Sequence, residues 1–276
     1  MQSKFYQPDE RRAEKVHELF ATIARRYDLL NDIMSAGLHR RWKRRVAERG
    51  IEGVSTGCGG DAAPTIDVLD LCCGTGDIAM LFADGGAYVT GADFTAEMLR
   101  VAMARTTAGG RESPLGTTSL SRGTPAPPAA VVAQPSRLRL LNWVQADALR
   151  LPFPNDLFDV VSVGYGLRNL ADIERGLREM LRVLRPGGQL LSLDFGKPES
   201  PLWRSIYFGY LRVALPLLGR VFCGDPDTHG YILASLQDYP AQRGIKELME
   251  SCGYRKCGFA EFVGGAMAIN FGSKPG

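Results

Sequence analysis

The sequence lacks the marks of several protein classes. No apolar run reaches membrane-spanning length without charge; the best, residues 201–222, is interrupted by Arg204, Arg212 and Arg220. The N-terminus, MQSKFYQPDERR, is polar and has no apolar h-region, so no secretory signal is expected. The six cysteines have no framework spacing: Cys72 and Cys73 are adjacent, and Cys252 and Cys257 have no histidine nearby. Reduced intracellular thiols are expected, with neither zinc nor disulfides. The net charge of +3 over 276 residues is too small to argue for a nucleic-acid partner. The expectation is a cytoplasmic chain that binds no metal and is long enough for one large α/β domain.

Aromatic residues are absent from 109–136, GGRESPLGTTSLSRGTPAPPAAVVAQPS, which is rich in Gly, Pro, Ser and Thr. This composition predicts a disordered insertion, because it offers too little apolar surface to offset chain entropy. An interdomain linker is the rival reading. It is disfavoured because too few strands follow for a second sheet. A single domain over 1–276 is therefore expected, with an N-terminal helical cap at 9–50.

Within that cap, Val16, Leu19, Phe20, Ile23 and Tyr27 share one apolar face, predicting a helix over 9–27. A second helix is predicted over 38–49 and a Gly-rich connector over 52–64. From residue 66 strands and helices alternate. Strands are predicted near 66–71, 87–92, 140–145, 158–164 and 188–195, and helices near 77–84, 95–107 and 171–184. Short, mostly apolar strands in alternation with helices argue for a parallel sheet covered on both faces. RPGG at 185–188 reads as a helix stop before a strand. An apolar helix over 201–222, bent at Pro216, a helix over 240–252 and a hairpin turning at VGG 263–265 complete the pattern.

The first strand runs into VLDLCCGTGDIA, residues 68–79. Gly74, Gly76 and Ala79 satisfy the G-x-G-x-x-G/A dinucleotide pattern, and Asp93 lies 19 residues beyond Gly74, where a ribose-binding acid is wanted. Two further acids argue otherwise. Asp77, in the first turn of the next helix, would repel a pyrophosphate docked there, and Asp70 precedes the turn, where a dinucleotide needs no acid. S-adenosylmethionine carries an ammonium and a sulfonium and no phosphate, so acids around the turn suit it better. Asp93 suits ribose hydroxyls in either cofactor, and Asp147, ending the next strand, suits an adenine amino group. The bland alternatives are a tight turn, a satisfied structural acid at Asp70, an N-terminal helix charge at Asp77 and solvated loop acids at Asp93 and Asp147.

VLDLCCGTGDIA, GADF, QADALRLPFPNDLFDVV and RVLRPGGQLL resemble the successive motifs of class I S-adenosylmethionine-dependent methyltransferases. FATIARRYDLLNDIMSAGLHRRWKRR at 20–45 and GYGLRNLAD at 164–172 are similar to the quinone C-methyltransferases, the demethylmenaquinone and polyprenyl-methoxy-benzoquinol methylases. The resemblance covers nearly the whole chain except 109–136 and the loop near 53–65. It implies a Rossmann-like, mostly parallel seven-stranded sheet with an antiparallel last strand and helices on both faces. It also implies cofactor contacts at Thr75, Asp93, Asp147, Ala148 and Gly164, the last a serine in some relatives.

The implied substrate is a prenylated quinol, with CCGTGD and GYGLRN looking closer to the naphthoquinone branch. Ring methylation needs a base or an oxyanion stabiliser in a dry pocket. Arg168 could stabilise the oxyanion and Asn169 orient the hydroxyl; the bland alternative pairs Arg168 with Asp172 and makes Asn169 a helix cap. Tyr27, Asp28, His39 and Arg40 come from the helices expected to close over the site, and His39 has the unperturbed pKa of a base. Tyr165 and the 201–222 helix are candidates for a lipid-facing wall, with a lid or homodimer helix as the other reading. A nicotinamide oxidoreductase and a non-catalytic S-adenosylmethionine-binding regulator are the rivals from other classes.

Overall fold

The structure is a computed structural model. It describes residues 37–55, 66–108, 140–218 and 238–276, with single positions at 32, 35, 233, 235 and 236. The predicted 9–27 helix and the whole 109–136 insertion lie outside the described residues, as do Tyr27 and Asp28.

Seven strands form one sheet in the order β3-β2-β1-β4-β5-β7-β6. They are β1 (Asp67–Leu71), β2 (Tyr88–Asp93), β3 (Leu141–Gln145), β4 (Phe158–Gly164), β5 (Leu184–Phe195), β6 (Arg255–Phe262) and β7 (Met267–Ser273). β1 to β5 pair in parallel, while β7 runs antiparallel between β5 and β6. The predicted sheet and its antiparallel last strand are therefore present.

Six helices occur among the described residues: α1 (Leu38–Ser55), α2 (Asp77–Asp84), α3 (Ala96–Ala108), α4 (Ile173–Val183), α5 (Pro201–Leu218) and α6 (Ala241–Ser251). None is long and apolar enough to cross a membrane. Alternate residues of the central strands enter two cores. Leu69, Val161 and Leu190 pack with Leu177 and Met180 of α4 and with Ile245 of α6. Val68, Val160 and Leu191 pack with Val46 of α1 and with Ile78 and Phe82 of α2. Burial on both faces explains why these strands read as apolar runs and not as alternations.

Two glycine-rich stretches differ from expectation. Residues 52–55, read as connector, are the last turn of α1. A Cβ at Gly50 would lie 2.6 Å from the Phe82 ring, and one at Gly53 would overlap the Gln189 amide, so these glycines let α1 lie close on the sheet. Gln189 Nε2 donates to the Gly50 carbonyl at 3.0 Å across that contact. RPGG does not separate α4 from a later strand either. β5 starts at Leu184 and carries the motif as an irregularity opposite Phe158–Val160. Gly187, at φ +82°, donates its N–H to the Lys274 carbonyl, and Lys274 donates back to Gly188. The VGG hairpin forms as expected, with Val263, Gly264 and Gly265 all at positive φ. α5 continues through Pro216 to Leu218.

Candidate active site

The turn after β1 places Cys72, Gly74 and Gly76 at positive φ. Gly74 N–H donates to Asp93 Oδ2 at 2.8 Å, and Cys73 N–H to the Ala92 carbonyl at 3.1 Å, which fixes the turn against the end of β2. Gly76 precedes α2 at φ +86°, and a Cβ there would overlap the Trp143 ring. Gly76→Ala should therefore lower the unfolding free energy by at least about 1–2 kcal/mol, the cost of the left-handed conformation alone. Denaturant unfolding of the variant checks this, and unchanged stability would refute it.

A cavity of about 130 Å³ opens at the carboxyl ends of β1 to β4, where open α/β sheets bind ligands. Gly74, Asp93, Asp147, Ala148, Gly164 and Asn169 line it. Asp93 accepts a second amide, from Thr95, at 2.8 Å. Asp147 is exposed, and its Oδ1 accepts the Leu149 N–H at 2.9 Å. A Cβ at Gly164 would overlap the end of Ile78, so Gly164 offers only backbone to this cavity.

Asp70 and Thr75 lie beside a smaller cavity of about 30 Å³, shared with Gly74, Gly164 and Lys43. Asp70 is 1% exposed. Its Oδ1 accepts the Ser162 hydroxyl at 2.7 Å, while its buried Oδ2 has no hydrogen-bond partner. Burial raises its pKa to about 7, against the pull of the Ser162 hydroxyl and of the Ala79 backbone amide. A buried acid oxygen lacking a donor, next to a cleft, is a place for a cationic group. These acceptors would suit S-adenosylmethionine: Asp70 for the ammonium, Asp93 for the ribose hydroxyls and Asp147 for the adenine amino group.

Asp77 plays a different part from the one expected. Lys43 and Arg105 each reach it at 2.7 Å, tying α1 and α3 to the start of α2. Burial would raise its carboxyl, but the two cations hold it at about 2. Its charge is offset, so it is no open deterrent to phosphate.

The GLRN segment forms a short 3₁₀ turn, Leu167–Asn169, after β4. Arg168 and Asp194 are 4% and 3% exposed and pair at 2.6 Å. Arg168 Nη1 also donates to the Tyr165 carbonyl at 2.8 Å, and Asn169 Nδ2 to the same oxygen at 3.1 Å. The Arg168–Asp172 pair considered above does not form: Asp172 caps α4 by accepting the Arg175 N–H, a role Asn169 therefore does not fill. Asn169 reaches the cofactor cavity, whereas Arg168 lines neither that cavity nor the next.

These hydrogen bonds hold Tyr165, which sits at φ +59° with its N–H on the Leu193 carbonyl. Tyr165 lines the cofactor cavity and also a second, apolar cavity of about 430 Å³. His39 and Trp42 of α1, Phe195 at the end of β5 and Tyr207 of α5 line the second cavity too. His39 is buried, hydrogen-bonded through Nδ1 to Ser35 Oγ at 2.8 Å, with Asp32 at 3.7 Å. Burial and then Lys43 push its pKa down, favouring a neutral imidazole. Arg40 is exposed and paired with Asp32. Among the described residues no cluster of His, Cys, Asp and Glu is arranged to hold a metal ion.

The structure therefore gathers Gly74, Asp93, Asp147, Ala148, Gly164 and Asn169 in one cavity, with Asp70 and Thr75 beside it and His39 across Tyr165. Sequence reasoning missed Asp194, Trp42 and Phe195, whereas Tyr207 belongs to the 201–222 helix expected to form a lipid-facing wall. Asp194 alone left a signal, as another acid ending a strand, in LDFG.

Fold and cavity together define a class I S-adenosylmethionine-dependent methyltransferase. A methyltransferase of Thermotoga maritima has the same fold, with a TM-score of 0.52 at 16% identity over 93% of this chain and 99% of that one. The model of the ubiE/COQ5 methyltransferase family matches residues 9–114 and 132–274, passing over the middle of the predicted insertion. The ubiquinone/menaquinone biosynthesis C-methyltransferase UbiE of Ectopseudomonas mendocina is 37% identical over 97% of this chain and 92% of its own. Its namesake in Azotobacter vinelandii is 36% identical over 97% and 93%. The chain belongs to the ubiE/COQ5 methyltransferase family.

Proposed function

We propose that the chain methylates a ring carbon of a prenylated quinol, with demethylnaphthoquinol as substrate and menaquinol as product. The observation that carries this is Tyr165, a single residue walling both the cofactor cavity and the apolar one. A quinol ring placed against Tyr165 meets the cofactor side, and its tail lies along Trp42, Phe195 and Tyr207. The relatives' names cover both quinone branches. CCGTGD and GYGLRN favour the naphthoquinone branch, with 2-methoxy-6-polyprenyl-1,4-benzoquinol as the alternative.

S-adenosylmethionine, when bound, supplies an electrophilic methyl group. The ring carbon becomes nucleophilic when a ring hydroxyl loses its proton. His39, buried and neutral, is the base in this reading, its Nδ1 held by Ser35. Asn169 orients the ring hydroxyl from the cofactor side. Arg168 acts indirectly: paired with Asp194, it fixes the Tyr165 carbonyl and so the partition. The aromatic lining keeps water out, so opposite charges attract with little screening as they approach. The whole chain works as one methyltransferase domain, at the cytoplasmic face of a membrane.

Incubation with labelled S-adenosylmethionine and a panel of quinols tests the reading. Label is expected in the naphthoquinol and not in the benzoquinol. Label confined to the benzoquinol would reassign the substrate, and no label despite cofactor binding would favour a regulator. Calorimetry is expected to show S-adenosylmethionine binding and no NADH binding.

A further inference from the structure

The acids around the cofactor cavities suit the cationic parts of S-adenosylmethionine and leave its one anionic group without a seat. That group is the α-carboxylate, borne on the same carbon as the ammonium, so the two must be held side by side. Asp70, the seat argued for the ammonium, is itself an acid and cannot take a carboxylate. Among the described residues no Lys or Arg lines the larger cofactor cavity. Three amides of the turn are already engaged. Cys73 N–H donates to the Ala92 carbonyl, Gly74 N–H to Asp93 and Gly76 N–H to the Cys73 carbonyl.

The smaller cavity, beside Asp70, has one cation in its described lining, Lys43. α1 exposes Arg40, Arg41, Arg44 and Arg45 but buries Lys43, at 5%. An ammonium offers three donors. Asp77 accepts one from Lys43 at 2.7 Å, and the described residues supply no second acceptor. Asp77 is also shared with Arg105, again at 2.7 Å. The Tyr165 ring centroid lies 5.9 Å from Lys43 Nζ, which sets the amine at the edge of the wall that Tyr165 gives both cofactor cavities. A buried cation with donors to spare, facing a cleft, favours an anion there.

We propose that Lys43 Nζ holds the α-carboxylate of S-adenosylmethionine and selects nucleosides that bear it. The inference extends the reading of Asp70 as the ammonium's seat and holds for either quinol branch. The amino-acid end of the cofactor then lies between Asp70 of β1 and Lys43 of α1, each charge against its opposite. A nucleoside lacking the carboxylate leaves Lys43 with Asp77 alone. α1 also carries His39 and Trp42, which line the apolar cavity. Seating the carboxylate on Lys43 therefore fixes one wall of the substrate cavity as well.

Calorimetric titration of the full chain with S-adenosylmethionine and with decarboxylated S-adenosylmethionine tests this without any methyl transfer. The second ligand keeps the ammonium and the sulfonium and has hydrogen in place of the carboxylate. Wild-type protein should bind S-adenosylmethionine at least about tenfold more tightly than the decarboxylated ligand. Lys43→Met should weaken S-adenosylmethionine at least about tenfold. It should not weaken the decarboxylated ligand, from which it removes only a like charge. Lys43→Arg should keep the preference, and Asp77→Asn, which leaves Lys43 in place, should keep or enlarge it. Wild-type protein that binds the two ligands equally would overturn the proposal, whether or not any variant folds. So would a Lys43→Met protein that weakens both by the same factor, which would make Lys43 only a structural partner of Asp77. Asp70→Asn should weaken both ligands, because both carry the ammonium. Unchanged binding in that variant would instead count against the Asp70 reading, whatever Lys43→Met shows.

Discussion

Asp194→Ala is expected to lower the unfolding free energy by about 3–5 kcal/mol, and Arg168→Ala by a similar amount. Both partners are almost wholly buried and lie 2.6 Å apart, so either truncation removes this ion pair from the interior. Asp194 Oδ1 would lose the guanidinium and keep only the Phe195 N–H, at 2.8 Å. Arg168 would keep the Tyr165 carbonyl, which cannot neutralise it. Replacing both together, Arg168→Met with Asp194→Leu, should recover much of the loss, because no unpaired charge remains. Denaturant unfolding followed by tryptophan fluorescence measures all three variants. A loss below about 1 kcal/mol in either single variant would contradict a sealed pair. Activity losses in Arg168→Ala must therefore be read at equal folded fraction before any is assigned to the chemical step.

The same pair shows where sequence reasoning stops. Arg168 and Asp194 lie 26 residues apart on different strand ends, and only the parallel β4–β5 pairing brings them together. Asp172, four residues from Arg168, was the visible local partner, yet its carboxylate is spent on the start of α4. Asp77 is a second case. The sequence shows an acid at a helix start, but the cations that offset it come from α1 and α3, 34 and 28 residues away. Of the two acids that argued against a pyrophosphate, Asp70 keeps its force and Asp77 does not.

Elements whose cause is local were legible. Short apolar runs such as VLDL and FDVV became central strands because both their faces are covered. Glycines were harder to read, because one residue type serves three purposes. At Gly74 and Gly76 positive φ makes a turn, as the pattern implied. At Gly50 and Gly53 the missing side chain lets a helix lie close to Phe82 and Gln189. At Gly187 it permits an irregularity inside β5. Only the first purpose has a spacing that sequence can display.

Asp70 gives the other large expected effect, and it depends on pH. Its carboxyl is raised from 3.8 to about 7 in the native chain, chiefly by burial. Between about pH 4 and 7 the native cofactor-free chain therefore keeps a proton that the unfolded chain has lost. Stability should fall as pH rises through this window, by up to about 4 kcal/mol at roughly 1.4 kcal/mol per unit. Above about pH 7 this loss is complete. Asp70→Asn, which has no charge to bury, should abolish the slope and leave the cofactor-free variant more stable than wild type at about pH 8. The cofactor should show the opposite trend. An ammonium at the unpartnered Oδ2 favours the ionised carboxylate, so binding below about pH 7 releases a proton and wild-type affinity rises with pH by at most about tenfold per unit. In Asp70→Asn affinity should be weaker and this slope absent. Calorimetry in buffers of different ionisation enthalpy reads the released proton directly. A wild-type affinity that stays flat from about pH 5.5 to 8, with no proton released, would mean that the ammonium does not meet Asp70.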